Sequence, residues 1–206
     1  MTGGDQKAAL AFMKNELLPA KLTIAIDPGK SGGLAYQLAG QPAQAVAMPP
    51  TEGDLVNLLR QLATNPDNTV AFVEEVGGYI GQAQPASSAF KFGRNFGFTL
   101  GVLQTLGVRV ELVRPQRWQK SLALGSASNC ASKTEWKNKL KAAAQRFYPN
   151  LKPTLATADA LLILDYARRS APATRARPDL PLATAAPGFR RPEQKESAII
   201  PPPRGE

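Results

Sequence analysis

Two short apolar runs in this chain end abruptly in a carboxylate, and a third begins with one. Leu22-Thr-Ile-Ala-Ile-Asp27 and Val70-Ala-Phe-Val-Glu74-Glu75 read as buried strands closed by an acid; Asp159-Ala-Leu-Leu-Ile-Leu164 reads as a helix opened by one. An acid that finishes a core strand is costly to desolvate unless a cation or a network of donors compensates it. If the two strands are neighbours and the helix packs across them, the three carboxylates converge on one point. The chain must then build a sheet with acids at one end and lay a buried helix over it.

Composition narrows what such a point can do. With 25 Lys and Arg against 16 Asp and Glu, the formal net charge is +9, which favours an acidic partner, nucleic acid first. The absence of histidine removes Ser-His-Asp and Cys-His nucleophilic catalysis and imidazole-based zinc sites. The single cysteine, Cys130, excludes an internal disulfide framework and a thiolate metal cage, and fits a reducing cytoplasm. A metal bound here must sit on oxygen ligands, which selects Mg²⁺ or Mn²⁺ over zinc or copper. No run approaches the length of a membrane span, and Asp5, Lys7, Lys14 and Glu16 interrupt any signal-peptide pattern.

The 206 residues suit one domain plus tails. Residues 1–20 read as an amphipathic helical extension, with Leu10, Phe12, Met13 and Leu17 on one side and Pro19 closing it. A folded block over 21–170 follows. Its strands are expected at 22–27, 34–38, weakly at 43–48, at 69–74 and at 109–113. Its helices are expected at 54–62, from Ser87 or Ser88 as cap to about Leu106, as a turn at 115–120, and at 133–148 and 157–169. Gly93, Gly97 and Gly101 recur every four residues within the long helix. Each costs about 1 kcal/mol relative to alanine, so the stripe points to close packing against the sheet or a second subunit. Residues 171–206 hold eight of the eighteen prolines and little periodicity, and should be a disordered basic Pro/Ala-rich tail.

Asp27 precedes Pro-Gly-Lys-Ser-Gly-Gly33, which lacks the spacing of a Walker loop and otherwise reads as a hairpin turn. Glu74 and Glu75 point to opposite faces of their strand, so only one of them can join Asp27, and the pattern alone does not choose. Asp159 could serve only as a first-turn helix charge, worth a few tenths to about 1 kcal/mol. Taken together the three favour a metal site. Two Mg²⁺ ions roughly 4 Å apart could then activate a water and stabilise the leaving 3′ oxygen of a phosphodiester. A basic belt surrounds them: Lys30, Lys91, Arg94, Arg114, Arg117, Lys120, Lys133, Lys137, Lys139 and Lys141. In Arg114-Pro-Gln-Arg-Trp-Gln-Lys120 cations are mixed with an aromatic, as phosphate contacts with stacking require. Trp118 and Trp136 read as packing residues, whereas Tyr79, with Gln82 in the same Gly/Gln-rich loop over 77–85, is placed to contact an unstacked base.

These residues resemble the RuvC-type Holliday junction resolvases of the ribonuclease H-like superfamily, in particular the phage and chloroplast branch. The matching blocks run in family order over about residues 21–169. They are Ile24-Ala-Ile-Asp-Pro-Gly-Lys-Ser-Gly-Gly33, Phe72-Val-Glu-Glu-Val76, the stretch from Ser87 to Gly97, Pro115-Gln-Arg-Trp-Gln-Lys120, Lys133-Thr-Glu-Trp-Lys137 and Ala158-Asp-Ala-Leu-Leu162. The resemblance implies an α/β fold, a ribonuclease H-like mixed sheet flanked by helices, in a homodimer. It also implies Mg²⁺-dependent paired nicking in opposed strands of a four-way DNA junction. It selects Glu74 over Glu75, makes Asp27, Glu74 and Asp159 the metal ligands, and puts Lys133 beside the scissile phosphate. It also assigns the Gly93/Gly97 helix to dimer formation. Two departures stand out. The family's fourth acid, three or four residues before the last Asp, is replaced by Ala156 and Leu155; Asp165, about 240° around the helix from Asp159, cannot replace it and should pair with Arg168 or Arg169. An aromatic that bacterial relatives carry three residues after the catalytic Glu is Gly77 here, which leaves junction opening to Tyr79 or its loop.

Two other classes compete with a junction-resolving endonuclease. One is a junction-binding protein that has lost catalysis, motivated by the missing fourth acid. The other is an actin-like phosphotransferase, which also uses a strand-ending Asp before a glycine hairpin; 206 residues are too few for two such halves, and no second phosphate loop is present.

Overall fold

Strands β1 (Leu22–Asp27), β2 (Gly33–Leu38) and β3 (Gln44–Ala47) form an antiparallel meander, and β4 (Thr69–Glu74) and β5 (Arg109–Val113) add parallel to β1. The result is a five-stranded mixed sheet in the order β3-β2-β1-β4-β5, flanked by helices as expected. This computed structural model describes residues 21–75 and 86–170, all within one unit of the chain. The expected extension over 1–20, the loop with Tyr79 and Gln82, and the tail over 171–206 lie outside the described residues.

The central strands β1 and β4 are buried on both faces, which is why they read as continuous apolar runs without alternation. On one face Ile24, Ile26, Leu34, Ala71 and Val73 pack against α1 (Glu52–Leu62) and α2 (Ala86–Thr105) through Leu55, Leu59 and Leu103. On the other, Ala25, Ala35, Val70, Phe72 and Val113 meet α3 (Pro115–Ser121), α4 (Lys133–Phe147) and α5 (Ala158–Ser170). Ala25 and Ala35 present only methyl groups to this side, so α5 lies directly over β1 and β2 with every residue from Ala158 to Leu164 buried. Each fully buried leucine or isoleucine of such a helix contributes about 1.5–3 kcal/mol, which explains why a helix carrying an acid in its first turn is nonetheless held in the core.

Local signals account for the helix starts. Thr51 caps α1, its Oγ1 accepting from the Asp54 N–H at 3.1 Å. Ser132 caps α4 in the same way through the Glu135 N–H at 3.1 Å, while Glu135 Oε2 accepts from the Ala131 N–H at 2.7 Å. This reciprocal arrangement is the Ser-x-x-Glu signature of a helix start. Two expectations need correction. Ser87 and Ser88 lie inside α2, so neither caps it. A Cβ added at Gly93, Gly97 or Gly101 would meet nothing within 4 Å among the described residues, so these glycines are not needed for packing against the sheet. They stand instead on an exposed stripe of α2 that begins with Phe90, itself 72% exposed. Among the described residues no helix is long and apolar enough to cross a membrane.

Candidate active site

The carboxyl ends of β1 and β4 lie side by side, because the parallel register pairs Ile26 with Val73. Strand parity then sorts the acids. Asp27 follows Ala25, and Glu74 follows Phe72, so both emerge on the face covered by α5. Glu75 takes the other direction and is bound at the surface by Arg114, whose Nε donates to its Oε2 at 3.0 Å. The third acid arrives through the turn before α5. Thr154 and Thr157 hold each other there, each N–H donating to the other's hydroxyl at 2.9 and 3.2 Å. The Ala156 carbonyl is set against Gly33, the strand partner of Asp27, so Asp159 enters α5 above the end of β1.

The glycine turn makes room for this. A Cβ on Gly32 would fall 2.3 Å from the Asp27 carbonyl oxygen and 2.6 Å from its carboxyl carbon; one on Gly33 would fall 2.6 Å from Val46 O and 2.8 Å from Ala156 O. Both contacts are closer than van der Waals packing allows, so only glycine lets the turn fold back over the acid. The Gly29 N–H completes it by donating to Asp27 Oδ1 at 3.3 Å.

Asp27 and Asp159 are buried, and Glu74 is nearly so. Burial, then the neighbouring Asp159 charge, pushes the Asp27 carboxyl up to about 6, against the lesser pull of the Gly29 N–H. Burial and the Asp27 charge push Glu74 up to about 8. The Trp118 indole N–H works against this by donating to Glu74 Oε1 at 3.0 Å. Among the described residues, the cation that acts on all three acids is Lys137. Its Nζ donates to Asp159 Oδ2 at 2.5 Å, with the lysine side chain 34% and the aspartate 8% exposed. Burial alone would lower the Lys137 ammonium; the charge of Asp159 and the hydrogen bond to it, with Asp27 and Glu74 beyond, outweigh that and raise it.

The donor set has the chemistry of a hard-cation site: carboxylate groups only, two of them with proton affinity raised first by burial and then by a neighbour's charge, and Asp159 Oδ1 buried with no hydrogen-bond partner. The expected convergence is nonetheless incomplete. Among the described residues no three acidic side chains are grouped closely enough to hold a metal ion as they stand. The three share a face and feel one another's charge, and the Lys137 ammonium acts on all of them. Neither Ala156 nor the exposed Leu155 offers a fourth carboxylate. Asp165 pairs with Arg169 one turn on, Nε to Oδ2 at 2.7 Å.

The remaining candidates fall into two groups. Lys30, Lys91, Arg117, Lys120 and Lys133 are exposed: Lys30 on the turn after Asp27, Lys91 on α2, Arg117 and Lys120 on α3, Lys133 at the start of α4. Arg94, also exposed, pairs with Glu52 at 2.7 Å. Lys137, which the sequence groups with the basic belt, instead turns inward to Asp159. Trp118, expected only to pack, is fully buried and hydrogen-bonded to Glu74. A buried indole N–H needs an acceptor, and an unpaired strand-ending acid in the same core was the available signal.

No family model matches this chain, and no curated protein matches it. Among solved structures it is similar to Thermus thermophilus RuvC, at TM-score 0.47 and 19% identity, over 72% of this chain and 95% of that one. It is likewise similar to T. thermophilus RuvC in complex with Holliday junction substrate, at TM-score 0.48 and 19% identity, over 72% of this chain and 96% of that one.

Proposed function

We propose that this chain is a metal-dependent endonuclease acting on branched DNA, the four-way junction being the substrate that its sequence resemblance to the phage and chloroplast resolvases implies. One observation carries the reading. Three acids from separate elements, Asp27 and Asp159 buried and Glu74 partly so, meet on one face at the carboxyl ends of the central strands, where burial and one another's charges raise the proton affinity of Asp27 and Glu74. A fold maintains such an arrangement against its own stability only where a cation relieves it during work. The exposed cations around it on four elements suit phosphate, and the net charge of +9 suits a polyanion.

In this reading Asp27, Glu74 and Asp159 hold Mg²⁺, with Mn²⁺ able to substitute. The ion supplies neutralisation of phosphate charge and a lowered pKa for an attacking water. Trp118 orients Glu74, the Gly29–Gly33 turn orients Asp27, and Lys133 faces the phosphate. Two copies joined along the exposed glycine stripe of α2 would nick opposed strands in concert. The lone cysteine and the oxygen-only donor set suit work in a reducing cytoplasm.

The test is incubation of the full chain with a synthetic four-way junction, a plain duplex and a flap in Mg²⁺ or Mn²⁺. Symmetric nicks in two opposed strands of the junction are expected, lost in Asp27→Asn and Glu74→Gln. A second reading, a junction-binding protein without catalysis, is favoured by Ala156 and Leu155 standing where a fourth acid belongs. Tight junction binding with no cleavage in either metal would establish it.

A further inference from the structure

We infer that Lys137 is a resident counter-cation of the acid cluster, supplying the positive charge that a second divalent ion would otherwise bring, so that the site takes one metal ion per chain. The inference rests on the metal reading proposed above and specifies its stoichiometry.

Three features of the chain's own residues point to it. The first is division of labour on Asp159. One carboxylate oxygen, Oδ2, accepts from Lys137 Nζ at 2.5 Å; the other, Oδ1, is buried and has no hydrogen-bond partner. An acid more than nine-tenths buried does not leave an oxygen bare without cost, and a single ion on Oδ1 satisfies it while Oδ2 stays with the lysine.

The second is charge. Asp27, Glu74 and Asp159 bring three negative charges when ionised. One divalent ion and one ammonium bring three positive charges. Two divalent ions beside Lys137 would bring five, and a fourth acid that could offset them is absent, since Ala156 and Leu155 occupy the positions before Asp159.

The third is how Lys137 is held. Its helix neighbours Trp136 and Leu140 are buried where α4 packs on α5, and the Ser132–Glu135 cap fixes the start of that helix. The ammonium is therefore directed inward by the fold, unlike Lys133, Lys139 and Lys141, which are exposed on the same helix.

Manganese binding to the full chain, read by calorimetry and by paramagnetic resonance of the free ion, tests this without reference to cleavage. The wild-type chain should bind one Mn²⁺. Lys137→Met, which keeps the length of the side chain and removes its charge, should bind the first ion on the order of tenfold more tightly, because one like charge has been removed a few ångströms away. It should also acquire a second, weaker ion. Lys137→Arg should keep a single ion, and Lys152→Met, which removes an exposed lysine elsewhere, should behave as wild type. Thermal unfolding in EDTA confirms that each variant folds. Two ions in the wild type, or unchanged affinity and stoichiometry in Lys137→Met, overturns the inference while leaving the metal reading intact. No manganese uptake in any variant, with or without junction DNA, overturns both. Should Lys137→Met fail to fold, Lys137→Gln and the wild-type stoichiometry decide the matter.

Discussion

The indole N–H of Trp118 donates to Glu74 Oε1 at 3.0 Å, joining the helix after β5 to the acid at the end of β4. The bond is partly buried, and it is the direct donor that lowers the proton affinity of a carboxyl which burial and Asp27 push up. Trp118→Phe keeps most of the packing and leaves that oxygen without its donor. We expect a loss of about 1–3 kcal/mol in stability and a further rise in the Glu74 pKa. Cleavage should therefore be impaired at neutral pH and partly recovered at higher pH. A pH–rate profile for the variant displaced to the alkaline side checks this; an unshifted profile with uniformly lower rates would mean that Trp118 only packs.

Gly32 makes the tightest approach to the site. A methyl group there would lie 2.3 Å from the Asp27 carbonyl oxygen and 2.8 Å from its Oδ2. The first neighbour is backbone within a paired strand and cannot yield cheaply. Gly32→Ala should cost about 1–3 kcal/mol as overpacking does and should displace the Asp27 carboxylate, abolishing cleavage. Gly40, also in a turn but with nothing within 4 Å, is the contrast. Its φ of +82° means that Gly40→Ala strains the backbone while leaving the site untouched. The two variants compared by thermal unfolding and by nicking should separate: both less stable, only Gly32→Ala inactive.

The strands β1 and β4 fall where the apolar runs and their closing acids place them, because a buried parallel strand leaves an unbroken hydrophobic signature. That Asp27, Glu74 and Asp159 share one face was legible only in part. Parity separates Glu74 from Glu75, but which face meets α5 depends on strand pairing and on the alanines at 25 and 35. The bond from Trp118 joins residues 44 apart in sequence and exists only because α3 folds back over β4. Lys137 was hidden for a different reason. In Lys133-Thr-Glu-Trp-Lys-Asn-Lys-Leu-Lys141 it is one of four lysines that look alike, and only the packing of α4 on α5 singles it out. The Ser132–Glu135 cap, by contrast, is a local feature, closed within the first turn of α4.

The folded chain holds protons on Asp27 and Glu74 more tightly than an unfolded chain would, up to about 6 and about 8 against ordinary values of 3.8 and 4.5. Folding is thus favoured fully below about pH 4, and that contribution is lost as pH rises through 6 and then 8. Each tenfold change in proton affinity is worth about 1.4 kcal/mol, so the loss is on the order of several kcal/mol. In EDTA, the thermal midpoint should fall between about pH 5 and pH 8.5. Asp27→Asn should flatten the fall and raise the midpoint at pH 8 while abolishing cleavage, and Mn²⁺ should restore the wild-type midpoint there. Calorimetric unfolding across this range checks the sign; a midpoint that climbs with pH would show that the acids are not in conflict.

Gly93, Gly97 and Gly101 together sacrifice about 3 kcal/mol of helix propensity, and no described residue approaches them closely enough to recover it. With Phe90 exposed at the head of the stripe, a second copy laid along α2 is the occupant that would bring backbones together there. The chain is expected to sediment as a dimer, with Phe90→Asp or Gly97→Glu shifting it to monomer at micromolar concentration. Both variants should retain the wild-type unfolding free energy within about 1 kcal/mol when extrapolated to low concentration, since both positions are exposed. A monomeric wild type at all concentrations would remove the stripe from the account.

Lys30, Lys91, Arg117, Lys120 and Lys133 are exposed and make no ion pair among the described residues, whereas Arg94 is held by Glu52 and Arg114 by Glu75. Phosphate contacts release counterions, so each one adds about 0.9 to the slope of log K against log salt on duplex DNA. Binding to junction DNA should therefore weaken steeply with salt, and Arg117→Ala or Lys120→Ala should each lower the slope by about 1 without changing preference among sequences. Arg94→Ala should lower it by less, because its guanidinium must first leave Glu52, a partner worth up to about 1 kcal/mol at the surface. Removing that partner, in Glu52→Gln, should free the arginine and steepen the slope. Fluorescence anisotropy titrations from low to moderate salt measure all four slopes. Equal slopes for Arg94→Ala and Arg117→Ala would mean that the ion pairs seen at the surface do not decide which cations meet the phosphates.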